Sequence, residues 1–378
     1  MATAGDPVLP PTMRAIIRTD SKEVLSVQEV PTPTPTHGSV VVKILHVLAD
    51  AHIQSILKGE MFFTYPLPST PGTHAIGRIA ATGPDTTSFS VDQLVLLEPF
   101  VRARDNGDIH ILRGLWDGPT PATKKFTEEN FRHGFYSEYV RSPLENCWAL
   151  NEQKLCGELG YSTAELLSMN LSVLAYGGFR SADLVAGEKV VIAPATGWFS
   201  GAAVAAAVAM GASVVAAGRN LKVLERLRDT YGSNRVQIVQ VKGDVEADME
   251  AFKNCFGGAP VDAFVDISPP RANGATHVRS GLQALRPYGR AIIMGFVTDD
   301  VAVSYAHAVL NNLTIRGQYM YERSDVRGLI KLVESGAMKL GKSGGMEVVG
   351  QFKLEEFDQA GKMAEENPEA GKITLMSL

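Results

Sequence analysis

The sequence predicts a two-domain α/β chain. An all-β, barrel-like domain spans residues 1–160 and is completed by 325–378. A doubly wound parallel-sheet domain spans 161–324. Three observations carry this. Short β-rich runs fill residues 13–150. Strand-like and helix-like segments alternate after Leu155. One apolar stretch, 190-VVIAPATGWFSGAAVAAAVAMGASVVAAGRN-220, has the rhythm of strand, tight turn, helix, strand.

In the first domain the strand candidates are MRAIIR, VLSVQEV, SVVVKILHVL, IGRIAATG, DQLVLLEPF and FYSEYV, divided by Gly, Pro and Asp. The segment 31-PTPTPTHG-38 suits a stiff extended connector. Asp50 precedes HIQSILKG, where an acid favours a helix N-cap. Residues 102–133 are polar and irregular, and read as a surface excursion. In the second domain ELLSMNLSVLAYGGF has helical spacing. KVVIAP, SVVAAG, VQIVQV, VDAFVDI and GRAIIMG are strands. GAAVAAAVAM, LKVLERLRDTY, DMEAFKNCF and HVRSGLQALRPYG are the helices between them. The uninterrupted apolar strands fit burial on both faces of a parallel sheet. SDVRGLIKLVESG and LEEFDQAGKMAEE are helical, and VVGQF and KITLMSL are strands.

The composition narrows the function. The 378 residues are 45% hydrophobic and 20% charged, with a net charge of −5, which is ordinary for a globular protein. The chain has no long basic run, so nucleic acid is not an expected partner. The apolar stretch at 190–220 is broken by Pro, Thr, Ser and Gly, which argues against a membrane span. MATAGDPVLPPT lacks the features of a signal peptide. Cys147, Cys156 and Cys255 have no metal-type spacing. A cytoplasmic protein acting on a small molecule is expected.

The turn Ala195-Thr196-Gly197-Trp198-Phe199-Ser200-Gly201 joins a buried strand to a helix. Main-chain N–H groups and the dipole at a helix start favour a pyrophosphate. The turn is not GxGxxG, so its context carries the reading. The next strand ends at Gly218-Arg219-Asn220, where an acid would serve the ribose 2′-hydroxyl of NAD. Arg219 can instead pair with a 2′-phosphate, and Asn220 and Lys222 can add donors. NADP(H) is the expected cofactor. Ser268, Gly295 and Phe296 follow later strands at their carboxyl ends, and are expected at the nicotinamide end.

The chain resembles a medium-chain dehydrogenase/reductase over nearly its whole length. The resemblance rests on 66-PLPSTPGTHAIGRIAATG-83, 134-GFYSEYV-140, the Gly-rich turn and 289-GRAIIMG-295. It implies a GroES-like N-terminal domain and a Rossmann domain. It also implies a possible homodimer through the sheet edge near Leu313–Tyr321. At the ligand positions of the zinc-dependent branch this chain has Asp50, Thr73 and Asn170. That set is poor for catalytic zinc, and 102–133 contains no Cys. The chain therefore resembles the zinc-free branch of quinone and enoyl reductases, with no metal expected. That branch often has Asn at the position of Asp50, so this chain departs from the pattern there.

Without zinc, hydrogen-bond donors must stabilise charge on the acceptor. Tyr65, in 60-EMFFTYPLPSTPG-72, resembles a Tyr near the nicotinamide in the zinc-free branch. His52 suits acid–base work, Asp50 can orient it, and Asn170 can donate to a carbonyl. Phe62, Phe63, Tyr65, Trp116 and Phe126 suggest an apolar or aromatic substrate. The reading is an NADPH-dependent, zinc-independent reductase of a conjugated carbonyl, an enone or quinone. The alternatives are an NADP(H)-dependent alcohol dehydrogenase or ketone reductase, a redox-neutral enzyme, and a non-catalytic NADPH binder.

Overall fold

The computed structural model describes residues 9–19, 25–57, 61 and 63–378. Phe62, named above as a candidate pocket residue, lies outside them. The chain divides into two units. One runs to Asn170 and takes in Val348–Asn367 and Ile373–Leu378; the other comprises Leu171–Glu347 and Pro368–Lys372.

The first unit opens with an antiparallel pair, β1 (Thr12–Ile17) and β2 (Ser26–Pro31). It continues through β3 (Ser39–Leu48), α1 (Ala51–Leu57), β4 (Ala75–Thr82) and β5 (Leu94–Leu97). Next come β6 (Phe100–Arg102), β7 (His110–Leu112), α2 (Pro121–Glu129), β8 (Tyr139–Pro143), β9 (Cys147–Ala149) and α3 (Thr163–Leu166). α4 (Met169–Ser181) leads into the second unit. β3 is the hub: it pairs antiparallel with both β4 and β8. Val40, Val41, Val42, Ile44 and Val47 of β3 are buried, as a central strand of branched residues requires.

Residues 102–133 are largely exposed, as their polarity suggests, but they are not irregular. They form β7 and α2 and bury Ile111, Leu112, Arg113, Asp117, Thr123 and Thr127. The polar groups find local partners. Thr120 and Thr123 cap α2 reciprocally, and the Thr127 hydroxyl donates to the Thr123 carbonyl.

The second unit alternates as expected: β10 (Lys189–Ile192), α5 (Trp198–Ala209), β11 (Ser213–Gly218), α6 (Leu221–Tyr231), β12 (Val236–Gln240) and α7 (Val245–Gly258). Then follow β13 (Val261–Asp266), α8 (His277–Ala284), β14 (Leu285–Ile293), α9 (Tyr305–Leu310), β15 (Thr314–Gly317) and α10 (Arg323–Glu334). The six strands are parallel in the order β12-β11-β10-β13-β14-β15. This is the doubly wound arrangement, with its switch point between β10 and β13. Val191, Val215, Phe264 and Phe252 pack in one apolar cluster on the sheet. Burying each such side chain is worth about 1.5–3 kcal/mol.

Some boundaries move. α8 stops at Ala284, because Pro287 in LRPYG lacks an N–H and clashes with the preceding turn. α10 packs with the parallel-sheet unit, so the return to the first unit begins at Val348 rather than 325. β16 (Glu347–Phe352), α11 (Phe357–Glu366) and β17 (Lys372–Ser377) end the chain, and β17 pairs antiparallel with β3. The short piece 368–372 belongs to the parallel-sheet unit. Among the described residues, no helix is long and apolar enough to cross a membrane.

Candidate active site and nucleotide turn

In the first unit, Asp50 stands one residue before α1. Its Oδ1 accepts from the His52 main-chain N–H at 2.9 Å, as an N-cap does. The same oxygen lies 2.8 Å from His52 Nδ1, while the Thr73 hydroxyl donates to Oδ2 at 3.3 Å. Thr73 Oγ1 lies 2.7 Å from His74 Nδ1. Four groups thus form one chain, His52–Asp50–Thr73–His74. Its inner end is buried, with His74 only 6% exposed, and its outer end is open, with the His52 side chain 41% exposed. The N-cap and the acid–base readings of Asp50 are compatible, since one carboxylate serves both.

Burial pushes the Asp50 carboxyl up, but the charge and hydrogen bonds of His52 outweigh it and hold the group below its ordinary value. Burial drives His74 down to about 4, against the opposing charge of Asp50. A carboxylate facing an imidazole Nδ1 fixes the tautomer with Nδ1 protonated. That leaves Nε2 of His52 to exchange protons.

Asn170 is 3% exposed, and neither its Nδ2 nor its Oδ1 has a hydrogen-bond partner. A buried amide without partners is costly.

Tyr65 is placed differently from the sequence expectation. Its hydroxyl donates to the Phe131 carbonyl at 2.9 Å and accepts from the Gly114 N–H at 2.8 Å. Burial pushes the phenol up to about 12. The hydroxyl proton is committed to the main chain, which suits a strut between loops better than a proton donor. The aromatic residues nearby also pack on one another. Phe63 meets Trp116 at 5.4 Å, and Phe126 meets Phe131 at 5.3 Å between ring centres.

The side chains at the zinc-ligand positions of the family the chain resembles are Asp50, Thr73 and Asn170. Asp50 has both oxygens engaged, and Thr73 is a neutral hydroxyl already bonded to Asp50 and His74. With an amide as third member, this donor set does not fit a catalytic zinc.

In the second unit, Gly197 caps α5. Its own N–H donates to Ser200 Oγ at 3.1 Å, so this donor of the expected anion cradle is held within the turn. Trp198 is buried and Phe199 half-buried. Gly201 has a packing role: a Cβ there would lie 2.1 Å from Ala370 Cβ. Gly218 leaves room for the Thr196 side chain, whose Cγ2 would lie 2.7 Å from an added Cβ. Arg219 and Lys222 are exposed. Asn220 caps α6, its Oδ1 accepting from the Val223 N–H, which leaves its amide donors outward. These residues fit a dinucleotide: a helix start, a close-packed Gly-rich turn and an exposed guanidinium at the end of β11.

Ser268 stands two residues beyond the end of β13. It is buried, and its hydroxyl is held by Asp266 and His277. Its carbonyl accepts from the Phe296 N–H at 2.9 Å. Gly295 is required because a Cβ would lie 2.7 Å from Asp266 Oδ2 and from Ser268 main-chain atoms.

Two groups escaped the sequence reading. The piece 368–372 bridges Gly197 through Glu369, and the Ala370 N–H donates to the Thr196 carbonyl at 2.9 Å. No local pattern in a distant C-terminal segment could have announced this. The Thr73–His74 pair was visible as residue types, but not as partners of Asp50.

Both units have counterparts among known proteins. A family model described as alcohol dehydrogenase GroES-like domain matches residues 36–152, and one described as zinc-binding dehydrogenase matches 200–335. The chain belongs to the medium-chain dehydrogenase/reductase superfamily, a class of oxidoreductases that work with nicotinamide nucleotides. It is similar to acryloyl-coenzyme A reductase of Metallosphaera sedula, with 24% identity over 96% of this chain and 99% of that one. It is similar to an NAD-dependent alcohol dehydrogenase of Sulfurisphaera tokodaii, with 23% identity over 92% and 95%. A thermostable alcohol dehydrogenase structure from Pyrobaculum aerophilum superposes with a TM-score of 0.72 and 19% identity, covering 97% of this chain and 100% of that one.

Proposed function

We propose that the protein is an NADP(H)-dependent, zinc-independent oxidoreductase that interconverts an alcohol and its carbonyl compound. The observation that carries this is the contact between the buried Asp50 carboxylate and the half-exposed His52 imidazole. The alcohol dehydrogenase relative favours this chemistry over the conjugated-carbonyl expectation. A bound nicotinamide nucleotide would supply or accept the hydride. The chain handles the proton. Asp50 holds His52 with Nδ1 protonated, so Nε2 is the atom that gives a proton to the product oxygen or takes one from the alcohol. The Asn170 amide donates to the carbonyl oxygen and stabilises its charge. Arg219 selects the 2′-phosphate.

The second reading, reduction of a C=C bond conjugated to a carbonyl, draws on the acryloyl-coenzyme A reductase relative. NADPH deuterated at the transferable position, offered to ketones, enones and quinones, separates the two. Deuterium on a carbinol carbon is expected; deuterium β to a carbonyl would overturn the proposal in favour of the second reading.

We also propose a homodimer through β15. This edge strand is exposed along its length, Ile315 included, and Val303, Tyr305, Val309 and Leu310 present apolar surface in the segment before it. An uncovered strand edge with apolar neighbours is a pairing surface.

A further inference from the structure

We infer that His277 is a positioning residue for the nicotinamide end of the bound cofactor, acting through Asp266 and Ser268. This rests on the dinucleotide reading above and goes beyond it. Asp266 ends β13, Ser268 lies two residues on, and His277 starts α8. All three are buried, at 1%, 3% and 8% exposure. His277 Nε2 lies 3.1 Å from Asp266 Oδ1 and 2.8 Å from Ser268 Oγ. The Ser268 hydroxyl donates to the same Asp266 oxygen. A buried carboxylate requires such donors.

The network holds more than itself. Asp266 and Ser268 accept through their carbonyls from the Met294 and Phe296 N–H groups, both at 2.9 Å. The cluster therefore fixes the tips of β13 and β14 together, with Gly295 between them. Further out, Asn273 and Thr298 join the two following loops reciprocally. The Asn273 Nδ2 donates to Thr298 Oγ1 at 2.9 Å, and the Thr298 N–H donates to Asn273 Oδ1 at 3.1 Å. Ligands of a doubly wound sheet lie outside the carboxyl ends of its strands. β13 borders the switch point, so the main chain that His277 secures would form a wall for a dinucleotide bound there. A histidine with its functional nitrogen turned away from solvent, toward a strand-end carboxylate, is suited to holding that wall rather than to touching substrate.

The test compares whole-protein His277→Leu, which removes the donor, with His277→Gln, which keeps an N–H donor. Affinities are measured for NADPH and for adenosine 2′,5′-bisphosphate, which lacks the nicotinamide half; NADH and ADP are run in parallel. His277→Leu is expected to weaken dinucleotide binding by roughly ten- to a hundredfold while leaving the adenosine fragments unchanged. His277→Gln is expected to restore most of the loss. A purely structural role would weaken both ligand types alike. Equal weakening, or no change, in a His277→Leu protein whose wild type binds overturns this inference alone. Wild-type protein that binds no nucleotide overturns the cofactor reading and this inference with it.

Discussion

Asp50 meets His52 twice, through the main-chain N–H at 2.9 Å and through Nδ1 at 2.8 Å. The helix cap therefore orients the imidazole, and the two residues should act as one unit. Asp50→Asn and His52→Gln are each expected to lower kcat by roughly a hundredfold or more. The double variant should lose little beyond either single one, because groups acting as a unit are not additive. Steady-state kinetics checks this; independent, multiplicative losses would separate the two residues.

Arg219 is exposed at the end of β11. Arg219→Ala should cost roughly ten- to a hundredfold in NADPH affinity, the worth of a hydrogen bond to a charged group. NADH affinity should stay the same. Titration of both nucleotides by fluorescence decides it, and an unchanged NADPH affinity removes the 2′-phosphate role.

Tyr65→Phe should lower stability more than turnover. It leaves the Gly114 N–H and the Phe131 carbonyl without their partner, a loss of about 1–3 kcal/mol. Denaturant unfolding measures the first effect and kcat the second. A folded variant with kcat reduced more than tenfold would make Tyr65 a proton donor after all.

His74 makes stability depend on pH. Its folded value is near 4 against an ordinary 6.5. Between those values the unfolded chain binds a proton that the native state refuses. Stability is therefore full above pH 6.5 and falls as pH drops toward 4, by about 3 kcal/mol from this group. His74→Asn keeps a donor toward Thr73 and should flatten that slope. Unfolding curves for both proteins over this range test it; parallel slopes would show that His74 is not responsible.

The β15 edge should hold two copies together. Light scattering is expected to give a dimer, and Leu310→Glu or Ile315→Glu a monomer. A wild-type monomer at micromolar concentration would rule out the dimer.

Much of the fold was legible because its signals are local. The first five strands of the parallel sheet are short runs rich in apolar residues, and the helices between them carry caps or apolar stripes, so their order follows from periodicity; the exposed edge strand TIRG carries no such signal. The positions of the Gly-containing turn before α5 and of Arg219 after β11 were legible for the same reason, since each lies within one strand–turn–helix unit. Polarity hid the regular structure at 102–133, where the Thr127 hydroxyl is satisfied by the Thr123 main-chain carbonyl. It also misled at Pro287, which breaks a helical pattern that the apolar spacing alone extends.

The sequence by itself determined the two fold classes, the strand–turn–helix around Gly197 and the residue types available for acid–base work. The tertiary structure decided which of them are partners. It joined Thr73 to Asp50, turned Tyr65 toward main-chain groups, and set Glu369 and Ala370 against Gly197 and Gly201 across more than 160 residues of chain. The physical reason is that a hydrogen bond or a packing contact depends on distance in space. Local spacing reports that distance only within one helix, strand or turn.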